Sequence, residues 1–75
     1  MSHAVSFDSS CVSTGAFTRD SGVLHLQFRN GLTYEYSGVP EAVFEALLAA
    51  PSKGSFVARF IRGQYPYRRI GPDQL

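Results

Sequence analysis

The sequence predicts a small α+β domain: a three-stranded antiparallel β-meander followed by two α-helices packed on one face. Three observations predict it. Asn30-Gly31 sits between two alternating runs, Leu24/Leu26/Phe28 and Leu32/Tyr34/Tyr36, the strongest short-range hairpin signal. After Pro40 the apolar period changes from two to the helical one, with Val43, Phe44, Leu47 and Leu48, then Phe56, Val57, Phe60 and Ile61. The chain has 75 residues, 44% of them hydrophobic and 17% charged, which suits one core, and no repeat or long linker divides it.

Taken in order, residues 1–8 lack periodicity and read as an irregular arm, with Ser9-Ser10 leading into the first strand. Cys11 to Thr18 is rich in Val, Thr and Phe and reads as that strand. Val12 and Phe17 are out of phase with strict alternation, and a bulge at Gly15 would restore it. Arg19-Asp20-Ser21-Gly22 is a turn by composition.

The central hairpin has two registers. A two-residue Asn30-Gly31 turn sets Gln27 opposite Tyr34 and His25 opposite Tyr36, which puts the tyrosines on the face away from Leu24, Leu26 and Phe28. There they would form a stacking surface with His25 and Arg29. A three-residue loop, Arg29-Asn30-Gly31 with Gly31 left-handed, sets Phe28 opposite Leu32, Leu26 opposite Tyr34 and Leu24 opposite Tyr36. A one-residue slip exchanges the faces, so only the second register unites the apolar sets. Burial of each large side chain is worth roughly 1.5–3 kcal/mol, more than any preference between turns. The three-residue loop is the expected one, with the tyrosines on the core face.

Ser37-Gly38-Val39-Pro40 ends the sheet. Pro40 suits the first helical position, and Glu41 complements the helix's positive end. The first helix runs through Ala50 and Pro51 stops it. Ser52 is the expected N-cap of a second helix from Lys53 to Arg62, with Gly63 as its C-terminal stop. Gln64 to Ile70 is too interrupted for helix and is expected to run extended over the surface. Residues 71–75 form a tail.

Composition excludes several function classes. No apolar run approaches the roughly 20 residues that span a bilayer. The first residues lack the basic-then-apolar pattern of a secretory signal. The single cysteine, Cys11, makes no internal disulfide, which fits a reducing cytoplasm. Cys11, His3 and His25 have no metal-ligand spacing, and no metal or cofactor is expected. A core this small also permits a homodimer. Net charge is +1 but unevenly placed. Residues 53–75 hold Lys53, Arg59, Arg62, Arg68 and Arg69 against Asp73 alone, whereas residues 1–52 hold Arg19 and Arg29 against Asp8, Asp20, Glu35, Glu41 and Glu45.

These residues together resemble a known family. Leu24-x-Leu26-x-Phe28-x-Asn30-Gly31-x-x-Tyr34-x-Tyr36-x-x-Val39-Pro40, then Val43-Phe44-x-x-Leu47, Ser52-Lys53-Gly54-Ser55-Phe56 and Ile61-Arg62-Gly63-x-Tyr65-Pro66-Tyr67-Arg68 resemble the KTSC domain, over about residues 9 to 70. That family takes its name from the C-terminal region of certain lysyl-tRNA synthetases. It also occurs as small free-standing proteins of bacteria and their phages, the form this chain resembles. The resemblance implies RNA binding through the synthetase attachment. Two departures weaken it locally: Phe56-Val57-Ala58 replaces a more polar stretch, and Phe17 stands where Tyr is common. Both remove polar groups.

No catalytic constellation is visible, and a non-catalytic protein is expected. A Cys11–His25 pair across adjacent strands would be the one candidate for an activated thiolate, but it lacks an orienting third residue. Packing is the simpler role for Cys11, and solvation for His25. The basic segment carries the stronger signal. Lys53, Arg59, Arg62, Arg68 and Arg69 suit phosphates, and Tyr65 and Tyr67 suit base stacking, the combination that grips single-stranded nucleic acid. Ser52-Lys53-Gly54-Ser55 is not a P-loop, since only the Lys-Gly-Ser fragment is present. The competing structural reading has Lys53 solvated, the tyrosines pinning the tail, and the arginines pairing with Glu35, Glu41 or Glu45. The expected function is therefore a nucleic-acid-binding module, RNA before DNA. The alternative is a small protein-interaction module regulating a larger enzyme, since Arg and Tyr are also favoured at interfaces.

Overall fold

The sheet has five strands rather than the expected three. In a computed structural model that describes residues 2–7 and 11–70, the strands are β1 (Ser2–Ser6), β2 (Val12–Thr18), β3 (Val23–Phe28), β4 (Thr33–Tyr36) and β5 (Tyr67–Ile70). They lie in the order β1-β2-β3-β4-β5, every neighbouring pair antiparallel. The two additions are the outermost strands. β1 occupies most of the expected irregular arm, and β5 lies in the expected extended tail. Each pairs along one side only, so backbone hydrogen bonding holds it with few large apolar side chains, and the alternation that marks a strand in sequence is faint. Ser9-Ser10 and the 71–75 tail lie outside the described residues.

The central hairpin adopts the register that unites the apolar sets. Leu24 pairs with Tyr36 and Leu26 with Tyr34. The Phe28 N–H donates to Leu32 O at 2.8 Å and the Gly31 N–H to Phe28 O at 3.0 Å, with Gly31 at φ +90°. This is the three-residue loop, closed by a glycine in a conformation other residues rarely adopt. The bulge in β2 falls between Val12 and Thr14 instead of at Gly15. Gly15 is small for another reason: a Cβ there would lie 3.0 Å from the Phe7 ring.

Helix α1 (Glu41–Ala49) begins after Pro40, which caps it from outside rather than filling its first turn. Helix α2 (Lys53–Phe56) starts at Ser52, whose hydroxyl accepts the Ser55 N–H at 3.3 Å, as expected of an N-cap. The chain then widens into a π-helical turn, Val57–Ile61, closed by the Arg62 N–H on Val57 O at 2.8 Å. The expected single α-helix to Arg62 is thus split. Among the described residues no helix is long and apolar enough to cross a membrane.

Both helices cover one face of the sheet. Phe17, Leu24, Leu26 and Tyr36 meet Phe44 and Leu47 of α1 and Val57 and Ile61 of the π turn, with Phe7 and Val12 completing the core. The Phe17 and Phe44 rings stack at 5.0 Å. The opposite face carries a polar ladder. His25 Nε2 lies 3.0 Å from Glu35 Oε2, Arg68 Nε donates to Glu35 Oε1 at 2.7 Å, and the Thr14 hydroxyl donates to Gln27 at 3.2 Å. His25 is therefore a half-buried partner of Glu35 rather than the solvated residue expected. It lies opposite Ala16, while Cys11 precedes the far end of β2, so no Cys–His pair forms.

Candidate functional site

The basic residues do not form one track. They divide among three places, each set by an element. Lys53, in the first turn of α2, folds back so that its ammonium donates to Leu48 O at 2.9 Å and to Ala50 O. Those carbonyls end α1, where unpaired acceptors and the negative end of the helix dipole favour a cation. Arg68 lies on the polar-ladder face with Glu35. Its hydrogen bond is the main reason the Glu35 carboxyl is held below the ordinary glutamate range, with a smaller contribution from His25 acting against burial. Tyr65 is half-buried against the core.

The remaining cations stand on or beside the helix-bearing face. Arg59, Arg62 and Arg69 are exposed. Strand register places Tyr67 opposite Tyr36 and Arg69 opposite Tyr34, all on one face. The helical layer stops short of this edge. Tyr34, Tyr36 and Tyr67 therefore wall an open cleft of about 380 Å³, completed by Arg62 and Gly63. The Tyr67 ring lies 5.6 Å from Tyr34 and 5.8 Å from Tyr36. Tyr67 is 61% exposed, whereas Tyr36 is buried. Burial pushes the Tyr36 phenol above its ordinary pKa, against the opposing pull of the Arg62 charge nearby.

The π turn positions Arg62. An α-helix advances about 100° per residue; an i→i+5 turn is wider and advances less. Over Val57–Ile61 that underwinding turns Arg62 toward the sheet edge and Phe60 outward. Phe60, expected in the apolar stripe, is 53% exposed and rests on Phe56 at 4.9 Å, with Arg59 6.0 Å from its ring. Gly63 follows at φ +78° and reverses the chain toward β5.

Of the residues expected to contact nucleic acid, the structure thus gathers Arg62 and Tyr67 at one cleft, with Arg69 on the same face and Arg59 on the outer helix surface. It adds Tyr34 and Tyr36, which the sequence reading assigned to the core. Their place on the core face is the expected one, with Tyr36 buried and Tyr34 half-buried; what alternation alone did not show is that a cleft opens beside them at the β5 edge.

The fold and the alignment of its motifs invite comparison with known proteins. The sequence profile of the KTSC domain matches residues 8–65. The chain belongs to the KTSC domain family. A crystal structure of a KTSC domain protein from Yersinia pestis superposes with a TM-score of 0.88 at 35% identity, covering 95% of this chain and 100% of that one. A lysine–tRNA ligase of Nostoc sp. is 47% identical over 47 residues, 63% of this chain but 8% of the ligase. A protein of Tsukamurella paurometabola is 36% identical over 58 residues, 77% of this chain and 87% of its own length. This KTSC domain therefore spans a small fraction of the ligases it matches and nearly the whole of some other relatives.

Proposed function

We propose that this KTSC domain is a non-catalytic module that binds single-stranded RNA in the tyrosine cleft. Arg62 meets a phosphate, Tyr67 and Tyr34 stack a base with the buried Tyr36 behind them, and Arg59 and Arg69 flank the path of the backbone. The convergence of Arg62 with three tyrosines around one concavity carries this reading. A cage of tyrosines alone would equally suit a quaternary ammonium ion. A guanidinium on its wall repels such a cation and favours a π-faced ligand with a negative charge, which describes a nucleotide. The tRNA in the name of the lysine–tRNA ligase relatives supports RNA as the class of partner. A reducing cytoplasm suits the lone Cys11 thiol. Lys53, Arg68 and Tyr65 act in this reading through structure, as a helix clamp, a ladder member and a core-packed ring.

The test is a salt titration of binding to a short mixed-sequence single-stranded RNA. Arg62→Ala should weaken binding and reduce the slope of log K against log salt by about 0.7, the contribution of one phosphate contact. Tyr67→Ala should cost roughly 1–3 kcal/mol of affinity, the worth of one stacked base. Both side chains are exposed, so Tm should hardly move. An unchanged slope in Arg62→Ala overturns the assignment.

A second reading rests on a different surface. The exposed Phe60, with Phe56 and Arg59 beside it, has the composition of a protein-interface anchor. If Phe60→Ala abolishes capture of a partner protein and leaves RNA affinity unchanged, the helix surface is an interaction site.

A further inference from the structure

The tyrosine cleft has a neighbour. A second concavity of about 520 Å³ adjoins Arg62, lined besides by Phe28, Val57, Ala58, Cys11, Asn30, Gly54 and Arg29. Arg62 lines both. Tyr34, which lines the first, and Phe28, which lines the second, are in edge contact at 5.5 Å. At the rim of the second, Gly54 packs closely on Cys11, since a Cβ there would lie 3.1 Å from Cys11 Cβ and 3.2 Å from its Sγ. At the far wall, Asn30 Oδ1 accepts the Leu32 N–H at 3.0 Å. Its amide NH₂ is then the end left to donate to a base or a ribose hydroxyl.

We infer that the two concavities form a single site for a dinucleotide step of single-stranded RNA, with one base in the tyrosine cleft, the next over Phe28 and Val57, and the linking phosphate at Arg62. The inference rests on the RNA-binding reading and adds the number of bases and the position of the charge. A phosphodiester places one negative charge between two flat, largely apolar groups. Two guanidiniums line the groove: Arg29, whose Nη2 donates to Phe7 O at 3.1 Å, stands in the second concavity alone, and Arg62, with no ion-pair partner among the described residues, stands between two concavities that each carry aromatic surface. The spacing of charge and aromatic surface is complementary. A mononucleotide can fill only half of it.

The chain's single cysteine makes the second compartment addressable, because a maleimide labels only Cys11. The experiment measures binding of UpU and of uridine monophosphate to the intact protein, together with the rate of Cys11 alkylation by N-ethylmaleimide in the presence of each. UpU should bind at least about fivefold more tightly than the monophosphate, the worth of one further stacked base, and only UpU should slow alkylation. Protein already alkylated at Cys11 should lose the preference for UpU and keep its affinity for the monophosphate, whereas Cys11→Ser treated with the same reagent should keep both. Equal affinities with unaltered alkylation overturn the two-compartment site and leave the tyrosine cleft as a one-base site. Absence of binding by either ligand overturns the RNA reading as well. Protection of Cys11 by an acidic peptide with flanking aromatics, and not by UpU, makes the groove a peptide site.

Discussion

Lys53 shows how a residue's chemistry and its placement can part company. A lysine before Gly-Ser at a helix start reads as a phosphate ligand, yet its ammonium lies on the last carbonyls of α1. Lys53→Ala should lower stability by roughly 1 kcal/mol, the scale of a charged helix-end contact, and leave RNA affinity unchanged. Thermal melting beside a binding isotherm separates the two roles: lost affinity at unchanged Tm would return Lys53 to the phosphate path. Glu35 is a second case. Its folded-state pKa is depressed, chiefly by Arg68, so its stabilising contribution is full above the ordinary glutamate value of about 4.3. That contribution is lost as pH falls through the lower folded-state value. Glu35→Gln should flatten the acid limb of Tm against pH in that window; an equally steep limb would mean other carboxylates control it. The Lys53 partnership was not legible in the sequence, and Glu35 was named there only as one of three carboxylates the arginines could meet. Lys53 meets its acceptors across a bend at Pro51, and Arg68 meets Glu35 through a strand pairing that composition does not announce.

At the level of elements, the central hairpin was readable because a one-residue slip would have turned every tyrosine outward, so burial alone decided its register. The second strand was half readable. Its broken phase demanded a bulge, but the glycine expected to mark it serves instead as the seat of the Phe7 ring. Gly15→Val should force that ring aside at a cost of about 1–3 kcal/mol, the usual range for overpacking. The loss should appear as faster amide exchange in β1, which pairs with β2 at Val5 opposite Gly15. Unchanged protection across Ser2–Ser6 would mean that β1 is held by its backbone ladder alone. The π turn had no sequence signal at all. Phe56, Val57, Phe60 and Ile61 fit an ordinary amphipathic helix, and only the Arg62 N–H on Val57 O shows that the last turn is wider.

For the whole molecule, the class and the side of the sheet that carries the helices followed from periodicity, and the family from the combined motifs. The cleft did not, because it is an absence: a layer of two short helices does not cover the β5 edge, and there the exposed Tyr67 and half-buried Tyr34, with the buried Tyr36 behind them, wall the candidate site. The same five-strand order has a kinetic consequence. The first four strands pair only with strands next to them along the chain, and β5 alone, separated from β4 by residues 37–66, must be carried back by the intervening helices. Up to that closure search entropy is lost in small instalments, as in the fastest of the sheet-containing domains, and refolding should be a single phase in the millisecond range. Stopped-flow fluorescence of the tyrosines would follow it, since the rings that wall the cleft come together only when the third, fourth and fifth strands have met. A dominant phase lasting seconds would mean that docking of the helices, rather than growth of the sheet, sets the pace.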